Sequence, residues 1–76
     1  MHNIILIGAS GVAHEIIDTI HDINEISPTW NILGVLDDDP EKRDQNFYRN
    51  VKVIGSSGDI KTYKEDSSFL VTFSSP

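Results

Sequence analysis

The chain has 76 residues, a formal net charge of −6 and no cysteine. This length allows one domain, and so short a chain buries a modest fraction of its unfolded surface, which predicts marginal stability unless a partner or further sequence supports it. The lack of cysteine excludes disulfides and thiolate metal sites, and the negative charge argues against nucleic acid and acidic membranes as partners. The N-terminus has neither the basic start nor the long apolar region of a signal peptide, and no segment approaches the roughly 20 apolar residues of a membrane span. We therefore expect a cytoplasmic protein.

The first predicted element is a strand over residues 4–7, which are Ile-Ile-Leu-Ile. The run is continuous rather than alternating, as in a parallel strand that is buried on both faces. Residues 8–11, with the sequence Gly-Ala-Ser-Gly and called the glycine turn below, then interrupt the apolar run.

An amphipathic helix of about three turns is predicted from Val12 onward, because apolar residues recur at intervals of three and four while the opposite face is polar. Its apolar face consists of Ala13, Ile16, Ile17, Ile20 and Ile23. Isoleucine is a poor intrinsic helix former, so tertiary packing must hold this helix. Ser27 and Pro28 are predicted to end it.

A second buried strand is predicted over residues 32–36, and three aspartates and Pro40 follow it. Residues 41–50 are charged and polar, and we interpret them as a loop. Residues 51–54 alternate in part between apolar and polar, which is typical of a short edge strand.

Residues 55–59 have the composition of a helix start, in which Ser56 is the cap and Asp59 lies three positions on. A helix of two turns would then point Ile60 and Tyr63 toward the core. Residues 69–73 are predicted to form the last strand.

The element order β-α-β-loop-β-α-β predicts an α/β fold, namely a small Rossmann-like open parallel sheet of about four strands in the order 3-2-1-4, with flanking helices. A natural domain rarely ends on an exposed central strand. We therefore expect residues 1–76 to be the N-terminal part of a longer chain.

The glycine turn and the two residues after it are a variant of the Gly-x-Gly-x-x-Gly/Ala pattern that cradles phosphates between a strand and a helix. In this interpretation, Gly8 permits the tight turn, the hydroxyl of Ser10 donates to the phosphate, and Gly11 and Ala13 allow close packing of the helix on the sheet. Backbone N–H groups at the helix start would face the phosphate. The predicted contact residues are Gly8, Ala9, Ser10, Gly11 and Val12. The alternative is a turn that only connects strand to helix.

Residues 37–39, called the acidic turn below, follow the second strand. An acidic residue at this place commonly accepts hydrogen bonds from a ribose or a base, so Asp37 and Asp38 are predicted ligand contacts. Asp39 before Pro40 is interpreted as a turn former. Three carboxylates gathering Mg²⁺ is an alternative that we do not favour.

Ser74 and Ser75 follow the last strand, where they would lie across the crevice from the glycine turn. They are either ligand contacts or ordinary polar loop residues, and the sequence favours neither. His14, in the first helical turn, would lie close enough to pair with a phosphate, whereas His21 is predicted to face solvent. No nucleophile, base and orienting group can be assembled from the sequence. We therefore expect no catalytic residue and no metal ligand in this chain.

Taken together, the first strand with its glycine turn, the helix, residues 36–40 and residues 53–56 resemble the N-terminal domain of one family, in order and spacing over nearly the whole chain. The family is that of sugar O- and N-acetyltransferases typified by sialic acid O-acetyltransferase and the bacillosamine-pathway acetyltransferases. The resemblance implies that this domain binds the nucleotide part of a sugar nucleotide, often a UDP-amino-sugar. Gly8, Ser10 and Gly11 would then bound the diphosphate, and Asp37 and Asp38 would hold the nucleoside.

The resemblance further implies that acetyl transfer takes place in a following left-handed parallel β-helix, which forms a homotrimer, binds acetyl-CoA and carries the catalytic histidine. The N-terminal domain itself is expected to bind no cofactor. Val12 and Ala13 stand where the family usually has His-Gly, which removes a polar contact and a glycine beside the phosphate. Two other functions stay open: an NAD(P)-binding domain of an oxidoreductase or redox sensor, and a non-catalytic regulatory module that has lost its ligand.

Overall fold

A computed structural model describes residues 1–72 and shows one five-stranded sheet. Its strands are β1 (His2–Ile7), β2 (Trp30–Leu36), β3 (Asn46–Tyr48), β4 (Val51–Gly55) and β5 (Ser67–Val71), and its helices are α1 (Gly11–Ile26) and α2 (Ile60–Tyr63). The sheet order is β3-β4-β2-β1-β5. The four predicted strands are present, mutually parallel and in the predicted order. The prediction of a parallel sheet of about four strands is nevertheless wrong, because β3 pairs antiparallel with β4 and makes the sheet mixed.

The central strand β1 is buried on both faces, as its continuous apolar sequence predicts. Ile4 and Leu6 belong to the core cluster that includes the buried face of α1. Ile5 points to the opposite face of the sheet, because successive side chains alternate along a strand, and it is fully buried there. This burial fixes the end of β1, and with it the position of the glycine turn.

Helix α1 is longer than the three turns predicted, since it spans 16 residues. Ala13, Ile17 and Ile20 form its buried stripe. It ends at Ile26, and the C-cap residue Ser27 is extended because the following Pro28 disfavours the helical conformation at that position. The side chain of Asn24 secures this end: its Nδ2 donates to the carbonyl of Trp30 at 2.8 Å, and its Oδ1 accepts from the Trp30 N–H at 3.0 Å.

The interpretation of residues 41–50 as a loop is wrong in part. Pro40–Lys42 forms a 3-10 turn and Asn46–Tyr48 forms strand β3. Arg49 and Asn50, with φ of 48° and 65°, make a tight turn between β3 and β4. A two-residue hairpin of this kind needs positive φ at both positions and usually has an Asn-Gly or Asp-Gly sequence, which this chain lacks.

Strand β4 is therefore not the edge strand that its alternation predicted, because β3 covers it. The docking of β3 on α1 explains why so short a strand is stable. The hydroxyl of Tyr48 donates to Asp18 of α1 at 2.9 Å, and Arg49 Nε lies 3.1 Å from the same carboxylate. These polar contacts join segments that are distant in the chain, so the local sequence does not indicate them.

The second helical region begins as predicted, since the Ser56 N–H donates to the Asp59 carboxylate at 2.9 Å. It is shorter than the two turns expected: a 3-10 turn, Ser57–Asp59, runs into the single turn of α2. Ile60 and Tyr63 are half-buried. Strand β5 starts two residues earlier than predicted, and Phe73 lies outside the described residues.

Candidate functional site

The candidate site is a crevice of about 250 Å³ at the carboxyl edge of the parallel strands. Strand β1 lies between β2 and β5, so the chain leaves it toward β2 and returns on its other side as β5. Open α/β sheets bind ligands at such a switch point. The lining residues are Ile7, Gly8, Leu36, Asp37, Asp38 and Ser57.

Gly8 makes the sharp exit from β1 and needs to be glycine, because its φ is 113°. Its N–H donates to the carbonyl of Leu36 at 2.8 Å. Its own carbonyl accepts from the hydroxyl of the buried Thr72 at 2.8 Å. The start of the glycine turn is thus fixed from both neighbouring strands.

Ser10 is the N-cap residue of α1 but forms no side-chain cap hydrogen bond. Its hydroxyl donates instead to the carbonyl of Thr72. In this arrangement the hydroxyl ties the glycine turn to the end of β5, and the prediction that it donates to a phosphate stays a prediction.

The N–H groups at the start of α1 have no partner within residues 1–72. A helix leaves its first N–H groups without intrahelical acceptors, and neither a capping side chain nor an acidic residue in the first turn supplies one here. Gly11 is exposed, and a Cβ placed on it would meet no atom of the described residues within 4 Å. The prediction that Gly11 allows close packing of helix on sheet is therefore wrong; only Ala13, which is fully buried, does so.

Asp37 lies next to the glycine turn, as its place after β2 predicts. One carboxylate oxygen accepts from the Ala9 N–H at 2.8 Å and the other from the Asp39 N–H at 2.9 Å. Burial disfavours the charged form, but these two N–H groups and the ammonium of Lys42 outweigh it, so the pKa of Asp37 lies below its usual value. The carboxylate is therefore ionised and fixes the relative position of the two turns.

Asp38 points across the crevice toward the segment that follows β4. It accepts from the N–H and the hydroxyl of Ser57, both at 2.8 Å. Asp39 accepts from the Glu41 N–H at 3.0 Å and precedes Pro40 at the start of a 3-10 turn, as a turn former does. The three aspartates thus make separate contacts. Within residues 1–72, no group of three or more His, Cys, Asp or Glu side chains is placed to hold a metal ion.

Three contributors to this edge were missed by the sequence reasoning, namely Ser57, Lys42 and Thr72. Lys42 Nζ lies 3.3 Å from the carbonyl oxygen of Ala9 and 4.0 Å from Asp37. The Asp-Pro sequence could have indicated the position of Lys42, because a 3-10 turn that begins at Pro40 folds the next residues back toward β2. Thr72 had no local signal, since its contacts join residues more than sixty positions apart.

The sequence matches the model of the family described as the PglD N-terminal domain over residues 3–75. This chain belongs to that family. PglD N-terminal domains are the N-terminal domains of a group of acetyltransferases, as the sequence resemblance indicated. Searches of curated proteins and of solved structures gave no significant match.

Of the two residues that follow the glycine turn, Val12 is exposed and Ala13 is buried. The predicted pairing of His14 with a phosphate stays a prediction. Its ring stacks on Tyr48, with 4.3 Å between the ring centroids, and contacts Phe47 on the adjoining strand.

The remaining predictions concern residues at the periphery. His21 is exposed, as expected. Ser74 and Ser75, the predicted contacts across the crevice, lie outside the described residues. No helix in the described part of the chain is long and apolar enough to cross a membrane.

Proposed function

We propose that this domain binds the nucleotide-diphosphate part of a sugar nucleotide, with a UDP-sugar as the best candidate. The observation that carries the proposal is the start of α1 beside the glycine turn, which no side chain of residues 1–72 caps. Backbone N–H groups and the positive end of a helix dipole attract phosphates even in a chain of negative net charge.

Gly11 leaves room for a ligand to reach this backbone. A Cβ there would meet no atom of residues 1–72 within 4 Å, so packing among these residues does not demand a glycine. A phosphate that approaches the N–H groups closely would demand one. In our proposal the diphosphate lies against Gly11 and Val12, with Gly8, Ala9 and Ser10 shaping the turn beneath it.

The nucleoside then extends along the crevice toward Asp37 and Asp38. Both carboxylates already accept protein hydrogen bonds, but a carboxylate has about four acceptor sites. Each can accept further bonds from ribose hydroxyls or a base N–H while the existing contacts hold it in place. Ser74, beyond the described residues, is a further proposed contact.

For the whole protein we propose an acetyl-CoA-dependent sugar O- or N-acetyltransferase in the cytoplasm. This rests on membership of the PglD N-terminal domain family. Acetyl transfer and acetyl-CoA binding would belong to a following left-handed β-helix domain that forms a homotrimer, and residues 1–76 would contribute substrate binding only.

The test is a titration of the protein with UDP and UDP-sugars, followed by calorimetry and by backbone amide NMR shifts. We expect saturable binding, with the largest shifts at residues 8–12 and 37–38. NADH is the comparison ligand: tighter binding of NADH than of UDP would favour the dinucleotide-binding alternative. No response at millimolar UDP would refute the proposal, and no response to any nucleotide would favour a regulatory module that has lost its ligand.

A further inference from the structure

Lys42 reaches the glycine turn from a different segment of the chain. It is the last residue of the 3-10 turn Pro40–Lys42, and its ammonium lies 3.3 Å from the carbonyl oxygen of Ala9. The side chain is 46% exposed, so its end is open to solvent at the same edge as the crevice.

The contacts of this ammonium leave much of its hydrogen-bonding capacity unused. A lysine ammonium has three donors, and the carbonyl of Ala9 takes one. The nearest carboxylate oxygen, on Asp37, is 4.0 Å away, which is ion-pair distance but beyond a hydrogen bond. Among the contacts within residues 1–72, two donors therefore remain for a ligand beside the glycine turn.

The surrounding charge explains why a ligand would need this cation. The chain has 12 acidic and 6 basic residues, and the carboxylates of Asp37 and Asp38 line the crevice. A diphosphate entering there meets like charges, while the helix N-terminus offers only about half an elementary charge. Arg43 and Arg49 pair with Asp59 and Asp18, whereas Lys42 contacts the glycine turn itself.

We propose that Lys42 is a ligand-binding residue whose ammonium pairs with the diphosphate held at the glycine turn. This inference rests on the proposed function and adds to it a charged side chain from a separate segment. Lys42 also holds the Ala9 carbonyl, so the same side chain positions the turn and supplies the positive charge.

The experiment compares Lys42→Gln with the wild type in titrations with uridine, UMP and UDP. Uridine has no phosphate, so its affinity is expected to stay unchanged. The affinity for UDP should fall by about ten- to hundredfold, the range for loss of one charge-assisted contact. Added salt should shrink the difference between variant and wild type, because ions screen an exposed pair. Lys42→Arg keeps the charge and should retain most of the UDP affinity.

Lys64→Gln is the matched control, since Lys64 is exposed in the turn before β5, whose first residue pairs with Asn3 near the opposite edge of the sheet. It removes the same charge and should leave UDP binding unchanged. If Lys42→Gln lost affinity equally for uridine and UDP, Lys42 would only position the glycine turn, and the inference would be overturned. An unchanged UDP affinity in Lys42→Gln would also overturn it. A wild type that binds no UDP at all would instead refute the proposed function.

Discussion

The glycine turn and the acidic turn lie side by side at the carboxyl edge of the sheet, yet one presents hydrogen-bond donors and the other acceptors. The acidic turn provides acceptors: each of its carboxylates binds a backbone N–H of another residue. The glycine turn leads into backbone N–H groups at the start of α1 that no side chain in the described part of the chain caps. One turn thus stabilises the edge internally, while the other leaves donors for a molecule from outside.

This difference predicts where substitutions reduce stability and where they reduce binding. Changes in the acidic turn should lower the free energy of unfolding. Changes at the exposed part of the glycine turn should leave stability unaltered and weaken the ligand. Gly8 lies in the glycine turn but is buried, so its substitution should lower the free energy of unfolding, as in the acidic turn.

The largest effect is expected for Asp37→Ala. The substitution removes the acceptor of the Ala9 and Asp39 N–H groups, and it leaves the donor of the buried Ala9 without a partner. Loss of hydrogen bonds to a charged group should lower the free energy of unfolding by about 3 kcal/mol. Urea denaturation followed by circular dichroism measures this change.

Asp37→Asn is the accompanying control, and acid provides a second test. Because the pKa of Asp37 is lower in the folded than in the unfolded state, its ionisation stabilises the fold above the unfolded-state pKa. That contribution is lost as the pH falls toward the folded-state pKa. The stability difference between wild type and Asp37→Asn should therefore shrink on acidification, and a difference independent of pH would contradict the assigned role.

Gly8→Ala should have the next largest effect. A φ of 113° is strained for any residue with a Cβ, so the free energy of unfolding should fall by about 2 kcal/mol. Gly58→Ala is the matched control, since its Cβ would lie in ordinary contact, 3.7 Å from Ser56 Oγ. Equal denaturation midpoints for the two variants would show that the turn relaxes without cost.

The buried strands and the placement of both turns could be predicted from sequence because they depend on short, strong signals. A continuous apolar run, a glycine and an aspartate at the strand end give β1, β2 and the switch point. Strand β3 could not be predicted, since it depends on a turn with Arg49 at positive φ and on a contact from Tyr48 to Asp18. Such contacts join residues thirty positions apart, and local composition does not encode them.

Within the site, residue types were easier to predict than their partners. Asp37 and Asp38 were predicted as ligand contacts, but their existing bonds to Ala9 and Ser57 depend on the exact register of three strands. Gly11 shows the reverse case: the sequence pattern attributes its small size to helix packing, whereas no atom of residues 1–72 would touch a Cβ at this position.

A smaller loss of stability is expected for Asp38→Ala. Its carboxylate is exposed and binds Ser57 through the backbone N–H and the hydroxyl. Exposure weakens such bonds, so the free energy of unfolding should fall by about 1 kcal/mol. Ser57→Ala removes only the hydroxyl and should lose about half as much, and a larger loss than for Asp38→Ala would contradict the assignment.

Gly11→Ala should have the smallest effect on stability and separates the two turns most clearly. No atom obstructs a Cβ at this position, and alanine is the better helix former, so the free energy of unfolding should stay unchanged or rise by up to about 1 kcal/mol. Affinity for UDP should nevertheless fall at least about tenfold, because a methyl group would stand between the phosphate and the N–H groups. His21→Ala, on the exposed part of the same helix, should leave UDP affinity unchanged. A Gly11→Ala variant that binds UDP like the wild type would mean that the ligand does not approach this backbone. The N–H groups at the start of α1 would then donate to water and not to a phosphate.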